Sequence, residues 1–206
     1  MKTSAEYRAA ALNVLSGKWS APVIYTLVFL VAACIVAGVM SIIPVVGGIL
    51  ASFVILPLAW AFAVAFLRLY RGGNEFAIMS LAEGYQNDFK RLFCTLGLKY
   101  IYTYLWTLLL IIPGIIKGYS YALTEYILED DKEIENNAAI EKSMAMMDGH
   151  KMELFLLDLS FIGWYLLGML TFGIGLLWVT PYQYTARAAF YEDLKAEAAI
   201  DAEGAA

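Results

Sequence analysis

Charge is scarce in this sequence. Asp, Glu, Lys and Arg fill 16% of its 206 positions, against about 25% in an ordinary soluble domain. Histidine is nearly missing. His150 stands alone, which excludes a zinc site built on several histidines and a histidine relay of triad type; beside Lys151 it reads as a polar residue at a helix start. Two cysteines, Cys34 and Cys94, supply neither a disulfide framework nor metal-ligand spacing. Cations are outnumbered, 14 Lys and Arg against 19 Asp and Glu, for a net charge of −5. A nucleic-acid partner needs clustered Lys and Arg, so that function class falls away.

Apolar side chains take the place of charge. They make up 61% of the sequence, with a mean hydropathy of +0.66. Several apolar runs reach the ~20 residues that a bilayer crossing needs, and the length suits one bundle. The string VAAC at 31–34 has the form of a lipoprotein cleavage box, but the apolar run continues past Cys34 through IVAGVMSII. Signal cores span about 7–15 residues, so Cys34 is expected inside a helix as a small apolar residue.

Along the chain, residues 4–15 are too polar to span. Ser4 is the expected N-cap of a helix over 7–15, with Ala10, Val14 and Leu15 on one face and Glu6 and Arg8 opposite. Gly17 ends it, and Trp19 suits an interfacial belt. Two spans follow at about 21–43 and 46–70, closed by Arg68 and Arg71. The stretch GGNEFAIMSLAEGYQNDFKR reads as a second surface-lying helix through Phe76, Ile78, Met79, Leu81 and Tyr85. A third span is expected at 92–112, a turn at Pro113-Gly114, and a short fourth span at 115–128. EDDKEIENN reads as a solvated acidic loop; AAIEKSMAMMDGHK reads as a third amphipathic helix with Ile140, Met144 and Met147 on one side. The fifth span is expected at 152–171, a turn at FGIG, and the sixth span at 176–194.

The pattern repeats: amphipathic helix, polar hinge, span, uncharged turn, return span. The hinges read LSGKW, NDFKRLF and MDGHKMELF, and the return spans end AFLRLYRG, YSYALTEYILED and YQYTARAAFYEDL. Tyr119 and Tyr121 before Glu129-Asp130 match Tyr182 and Tyr184 before Glu192-Asp193 at one offset. The expected fold is all-α: a polytopic membrane bundle of six transmembrane helices, in three hairpin repeats at about 4–72, 73–130 and 136–194, each preceded by an interfacial amphipathic helix. Residues 1–194 would form one domain and 195–206 a flexible tail. Both termini and both long linkers then share one side, which also holds nearly all Lys and Arg, and the positive-inside rule makes that side the cytoplasm of a bacterial inner membrane.

Five ionisable residues fall inside spans: Lys99, Lys117, Glu125, Asp158 and Arg187. Each costs at least ~2.5–3.5 kcal/mol on insertion scales, which makes it a candidate for function. Lys99, Glu125, Asp158 and Arg187 lie some five to eight residues from their span ends, roughly 7–12 Å deep at 1.5 Å per residue. They come from four helices and carry two charges of each sign, so a paired polar layer is the least costly arrangement. Lys117, Tyr121 and Glu125 fall at i, i+4 and i+8; Tyr184, Arg187 and Tyr191 fall at i, i+3 and i+7. This layer is either a site or a network that fixes helix register, with Lys117 snorkelling outward.

The stretches IIPGIIKGYSYALTEYILED, AIEKSMAMMDGHKMELF, LSFIGWYLLGMLTFGIGLLWVTPY and AAFYEDL together resemble a bacterial integral membrane protein family known as a domain of unknown function, of the 975 type. EDDKE departs from the family's usual Asn-Pro after the acidic residue. More distantly, the layout is similar to the membrane domain attached to some glycerophosphodiester phosphodiesterases, whose separate soluble catalytic domain has no counterpart here. The resemblance implies a fold and a membrane location, not a reaction. The expected function is non-enzymatic: lipid handling, or service to a membrane complex. The alternatives are a small transporter with a cytoplasm-facing polar cavity and an intramembrane lipid-modifying enzyme using Glu125 or Asp158 as base. Expected partners are the bilayer and a bound lipid, with a second copy or a membrane partner protein left open; no cofactor or metal is expected.

Overall fold

The computed structural model describes residues 2–43, 46–73, 76–86 and 88–204. Among the described residues the chain is all-helical, with eleven α-helices and one 3-10 turn.

Helix α1 (Ser4–Leu15) starts on Thr3, one residue before the expected cap. Thr3 and Glu6 form a capping box: the Glu6 carboxylate accepts from the Thr3 N–H at 2.6 Å, and the Thr3 hydroxyl accepts from the Glu6 N–H at 3.4 Å. That exchange satisfies two amides which a cap at Ser4 would leave open. The buried face is Tyr7, Ala11 and Leu15 rather than Ala10, Val14 and Leu15, and it packs on the last helix of the chain. Arg8 is not on a free polar face; its Nη1 donates to the Ser160 carbonyl at 3.3 Å. Gly17, at φ +76°, ends the helix in the left-handed region.

Helix α2 (Ser20–Met40) carries Cys34 in its interior. It leaves Ile24, Leu27, Val31, Ile35 and Val39 exposed, a helical stripe without a protein partner that suits hydrocarbon. Helix α3 (Val46–Tyr70) is the central strut. Every residue from Trp60 to Leu67 is buried, as expected of a helix that is apolar all round. The next segment is a 3-10 turn (Ile78–Ala82) followed by the single turn α4 (Glu83–Gln86), not one surface helix. Two contacts explain this. The Ser80 hydroxyl donates to the Ala77 carbonyl at 2.8 Å, a local bond that competes with α-helix. Gly84 is pressed against α3, where an added Cβ would sit 3.0 Å from the Pro57 Cβ.

Helix α5 (Phe89–Leu109) and helix α6 (Ile111–Ser120) meet at Leu110, which is extended at φ −157°, ψ 136°. The chain therefore turns before Pro113-Gly114, not at them. Proline in a helix's first turn lacks only an amide that has no partner anyway. Gly114 lets α6 fold back onto α5: a Cβ there would lie 2.6 Å from the Thr107 Cα. The fourth expected span is broken again at residues 121–123, so helix α7 (Thr124–Asp130) is a separate piece. Helix α8 (Asn136–Met146) seals that break. Its buried Ser143 hydroxyl donates to the Ser120 carbonyl at 2.9 Å and accepts from the Leu123 N–H at 3.2 Å. The linker before α8 is pinned rather than merely solvated. Arg91 of α5 donates to the carbonyls of Leu128, Asp131 and Ile134 at 3.0–3.1 Å, and the Asp131 carboxylate accepts from the N–H groups of Glu133 and Ile134.

Helices α9 (Lys151–Leu159) and α10 (Ile162–Leu170) join through a turn at Ser160-Phe161, with His150 in the cap position. The FGIG turn follows, with Phe172 fully exposed. Helix α11 (Leu176–Gly204) runs on through most of the stretch read as a flexible tail. Lys195, Ala196, Glu197, Ala198 and Ala199 are all strong helix formers, which favours continuation.

Three segments among the described residues are long and apolar enough to cross a bilayer: Ser20–Met40, Phe53–Tyr70 and Lys151–Leu170. The other three expected spans correspond to α5, the broken pair α6 and α7, and the first part of α11. Charge, tyrosines or breaks dilute each of these. The three turns share one property: Ile42 with Ile43, Leu108 to Ile112, and Leu170 with Phe172 and Ile174 are apolar and exposed. The apolar helices and turns mark a membrane protein. Replacing Ser143 by Ala would leave the Leu123 N–H and the Ser120 carbonyl without their buried partner. It should lower unfolding free energy by about 1–3 kcal/mol, read as a lower Tm or denaturant midpoint of the detergent-solubilised chain.

Candidate functional site

Two ion pairs sit within the helix bundle. Lys99 of α5 holds both carboxylate oxygens of Glu125 of α7, at 2.5 and 2.7 Å. Arg187 of α11 holds Asp158 of α9 side-on: Nε donates to Oδ1 at 2.9 Å and Nη2 to Oδ2 at 2.6 Å. Asp158 also accepts from Gln183 Nε2 at 2.8 Å and from the Tyr119 hydroxyl at 3.2 Å. Four donors on one carboxylate offset the desolvation that makes an isolated buried charge so costly. Gln183 is oriented in turn by the Tyr165 hydroxyl, which donates to its Oε1. Trp60 of α3 donates to the Glu125 carbonyl at 3.1 Å and ties α7 to the central strut.

Between the pairs lies a cavity of about 470 Å³. Lys99, Glu125 and Arg187 line it, together with Tyr100, Tyr119, Tyr126 and Tyr184; Ala59, Ala63, Ile115 and Gly118 add apolar lining. Asp158 does not line it but backs Arg187, whose side chain keeps 33% of its area open.

The remaining residues read as part of the polar layer lie elsewhere. Lys117 has no carboxylate among the described residues; its ammonium lies 5.3 Å from the Trp106 ring centroid, a cation–π contact. The break at 121–123 is the reason. It interrupts the i, i+4, i+8 stripe, so Lys117 and Glu125 no longer share a face, and Tyr121 is buried away from the cavity. Tyr191 lies on the same continuous helix as Tyr184 and Arg187, but one turn further on it donates to Asp130 at 2.8 Å. Sequence reasoning missed Tyr100, Tyr119, Tyr126 and Gln183 as site residues. Gln183 was findable, because it stands four residues before Arg187 on one helix.

A second network lies where α3 and α7 end, against residues 191–195 of α11, which continues to Gly204. Arg71 bonds Asp130 at 2.7 Å and Glu192 at 2.6 Å; Lys195 bonds Asp130 at 2.6 Å; Arg68 bonds Glu83 at 2.8 Å and Glu129 at 2.9 Å. Glu129, Asp130 and Glu192 thus converge on the two arginines at the end of α3, while Asp193 bonds Lys2 at 2.5 Å and accepts from the Tyr7 hydroxyl at 2.8 Å. Burial alone would raise the Asp130 carboxyl, but bonds from Arg71, Lys195 and Tyr191 outweigh it and hold the group down to about 2.

Residues 107–198 match the family described as protein of unknown function (DUF975). The resemblance read from the sequence holds over that segment. The DUF975 segment runs from the end of α5 into α11 and contains Lys117, Tyr121, Glu125, Asp158, Tyr184, Arg187 and Tyr191, but not Lys99. No curated protein and no solved structure matches the chain.

Two outcomes test this electrostatic arrangement. Asp158→Ala strands Arg187 among apolar helices and should cost roughly 3–5 kcal/mol, while the charge-swapped double variant D158R/R187D should regain part of the loss in thermal unfolding. For Asp130 the folded pKa lies below the unfolded value. Its contribution is therefore complete above about pH 4 and disappears as pH falls toward about 2. Between those limits the Tm of the wild type should drop more steeply than that of Asp130→Asn.

Proposed function

We propose that this chain is a non-enzymatic, multi-pass protein of the bacterial inner membrane that holds a lipid in its bundle cavity. It would cross the membrane six times in three hairpins, with both ends in the cytoplasm. The cavity carries the reading. Its lining combines tyrosines and paired charges with small and apolar side chains, which is the lining an amphiphile needs. Charge placement supports the orientation, because Arg68 and Arg71 at the end of α3 and Lys195 within α11 gather in the rim network while the turns are apolar.

The ion pairs weigh against the competing chemistries. Glu125 and Asp158 each accept bonds from a cation on both oxygens, which leaves neither as a free base. Transport is the second reading. It is supported by the polar lining of the same cavity, and disfavoured because among the described residues no uncompensated charge faces it for an ion to replace.

The test is lipid analysis of the purified full chain. Mass spectrometry should find lipid retained at a defined ratio. Gly118→Leu, whose side chain would project into the cavity where only Thr103 comes near, at 3.9 Å, should release it without unfolding the protein. Equal retention by both forms, or a chain end labelled from outside intact cells, would refute the reading.

A further inference from the structure

The cavity contains donors that the fold itself leaves unused. Arg187 commits Nε and Nη2 to Asp158, and among the described residues its Nη1 has no partner. Tyr126 is 3% exposed and stacks on Tyr191 at 5.2 Å, yet its hydroxyl also has no partner among the described residues. The same is true of the Tyr184 and Tyr100 hydroxyls, and all four side chains line one cavity. None of these hydroxyls is sealed into packed protein without a partner; they border the cavity, where a guest can bond them. Phenylalanine would serve at Tyr126 and Tyr184 if packing were all that mattered, since Tyr184 packs edge-on against Phe62 and lies against Phe66.

We infer that this cluster, Arg187 with the hydroxyls of Tyr126 and Tyr184, receives the phosphodiester oxygens of a phospholipid headgroup. The inference rests on the lipid-binding reading above and adds which part of the lipid is recognised, and by what. The donors suit oxyanion oxygens, and a guanidinium N–H adds the charge-assisted component that phosphate recognition favours. Charge balance narrows the class further. Lys99 and Arg187 are already matched by Glu125 and Asp158. A headgroup carrying its own counter-charge fits such a neutral cavity better than a bare anion, and the Glu125 carboxylate lining the same cavity can face a headgroup ammonium. The small residues Ala59, Ala63 and Gly118 of the lining leave room for the upper part of the acyl chains.

The experiment titrates the delipidated full chain, in detergent, with three probes read by native mass spectrometry and thermal shift: dioleoylphosphatidylethanolamine, dioleoylglycerol and inorganic phosphate. Tyr126→Phe/Tyr184→Phe is compared with wild type, because it removes two hydroxyls while keeping both rings. The expected result is that the phospholipid binds at least about tenfold more tightly than dioleoylglycerol, and that the double variant keeps its fold but loses this preference. Equal affinity for the two lipids, or a preference unchanged in the double variant, overturns the headgroup site while leaving lipid binding intact. Binding of neither lipid overturns both. Binding of inorganic phosphate as tight as that of the phospholipid supports the oxyanion site and overturns its assignment to a lipid.

Discussion

The Arg187–Asp158 pair is the constraint on which the bundle depends. An arginine on α11 and an aspartate on α9 can be tolerated in apolar surroundings only when they face each other, and the bidentate geometry fixes both distance and rotation. Once α9 and α11 are set in this way, Tyr119 of α6 and Gln183 of α11 complete the carboxylate's coordination. The cavity beside them then acquires its polar wall. Lys99 and Glu125 repeat the device between α5 and α7. The pairs add specificity rather than much stability, since well-packed apolar residues would serve a bare bundle equally well.

Breaks in the helices are as informative as the helices. The interruption at 121–123 would expose amides and carbonyls to hydrocarbon if α8 did not bring Ser143 to them. A polar helix is thereby drawn into contact with the core, and its own first amide is held from α5, where Asn136 donates to the Thr95 hydroxyl at 2.7 Å. The linker residues that look simply acidic in sequence are held by Arg91 in the same manner. Backbone groups inside a membrane protein must find partners, and here side chains from neighbouring elements provide them.

Composition and apolar runs disclose the class of the molecule, the hairpin of α2 and α3, the FGIG turn and the start of α9 at His150. Helical register places Tyr184 and Arg187 on one face, and both line the cavity, because α11 is unbroken there. The same logic misplaces Lys117 and Tyr121. Periodicity assumes a continuous helix, and nothing local in GYSYALTEY announces the break, whose stabilising partner lies 20 residues away at Ser143. The 3-10 turn at Ile78–Ala82 is hidden for a related reason: its form follows from the contact of Gly84 with α3 together with the Ser80–Ala77 bond. Tyr100 and Tyr126 are invisible as cavity residues because their role follows from the crossing of helices, which sequence spacing does not encode.

Helix α11 carries Tyr184 and Arg187 at the cavity, Gln183 on Asp158 behind it, and Tyr191, Glu192 and Lys195 at the rim, within one unbroken rod. A stiff rod transmits rotation and sliding along its whole length. Any displacement that accommodates a guest between the helices must therefore be felt at the arginine–carboxylate knot where α3 and α7 terminate against α11, and tightening that knot must in turn reshape the chamber. Interior and surface are thus geared to each other by a single continuous element.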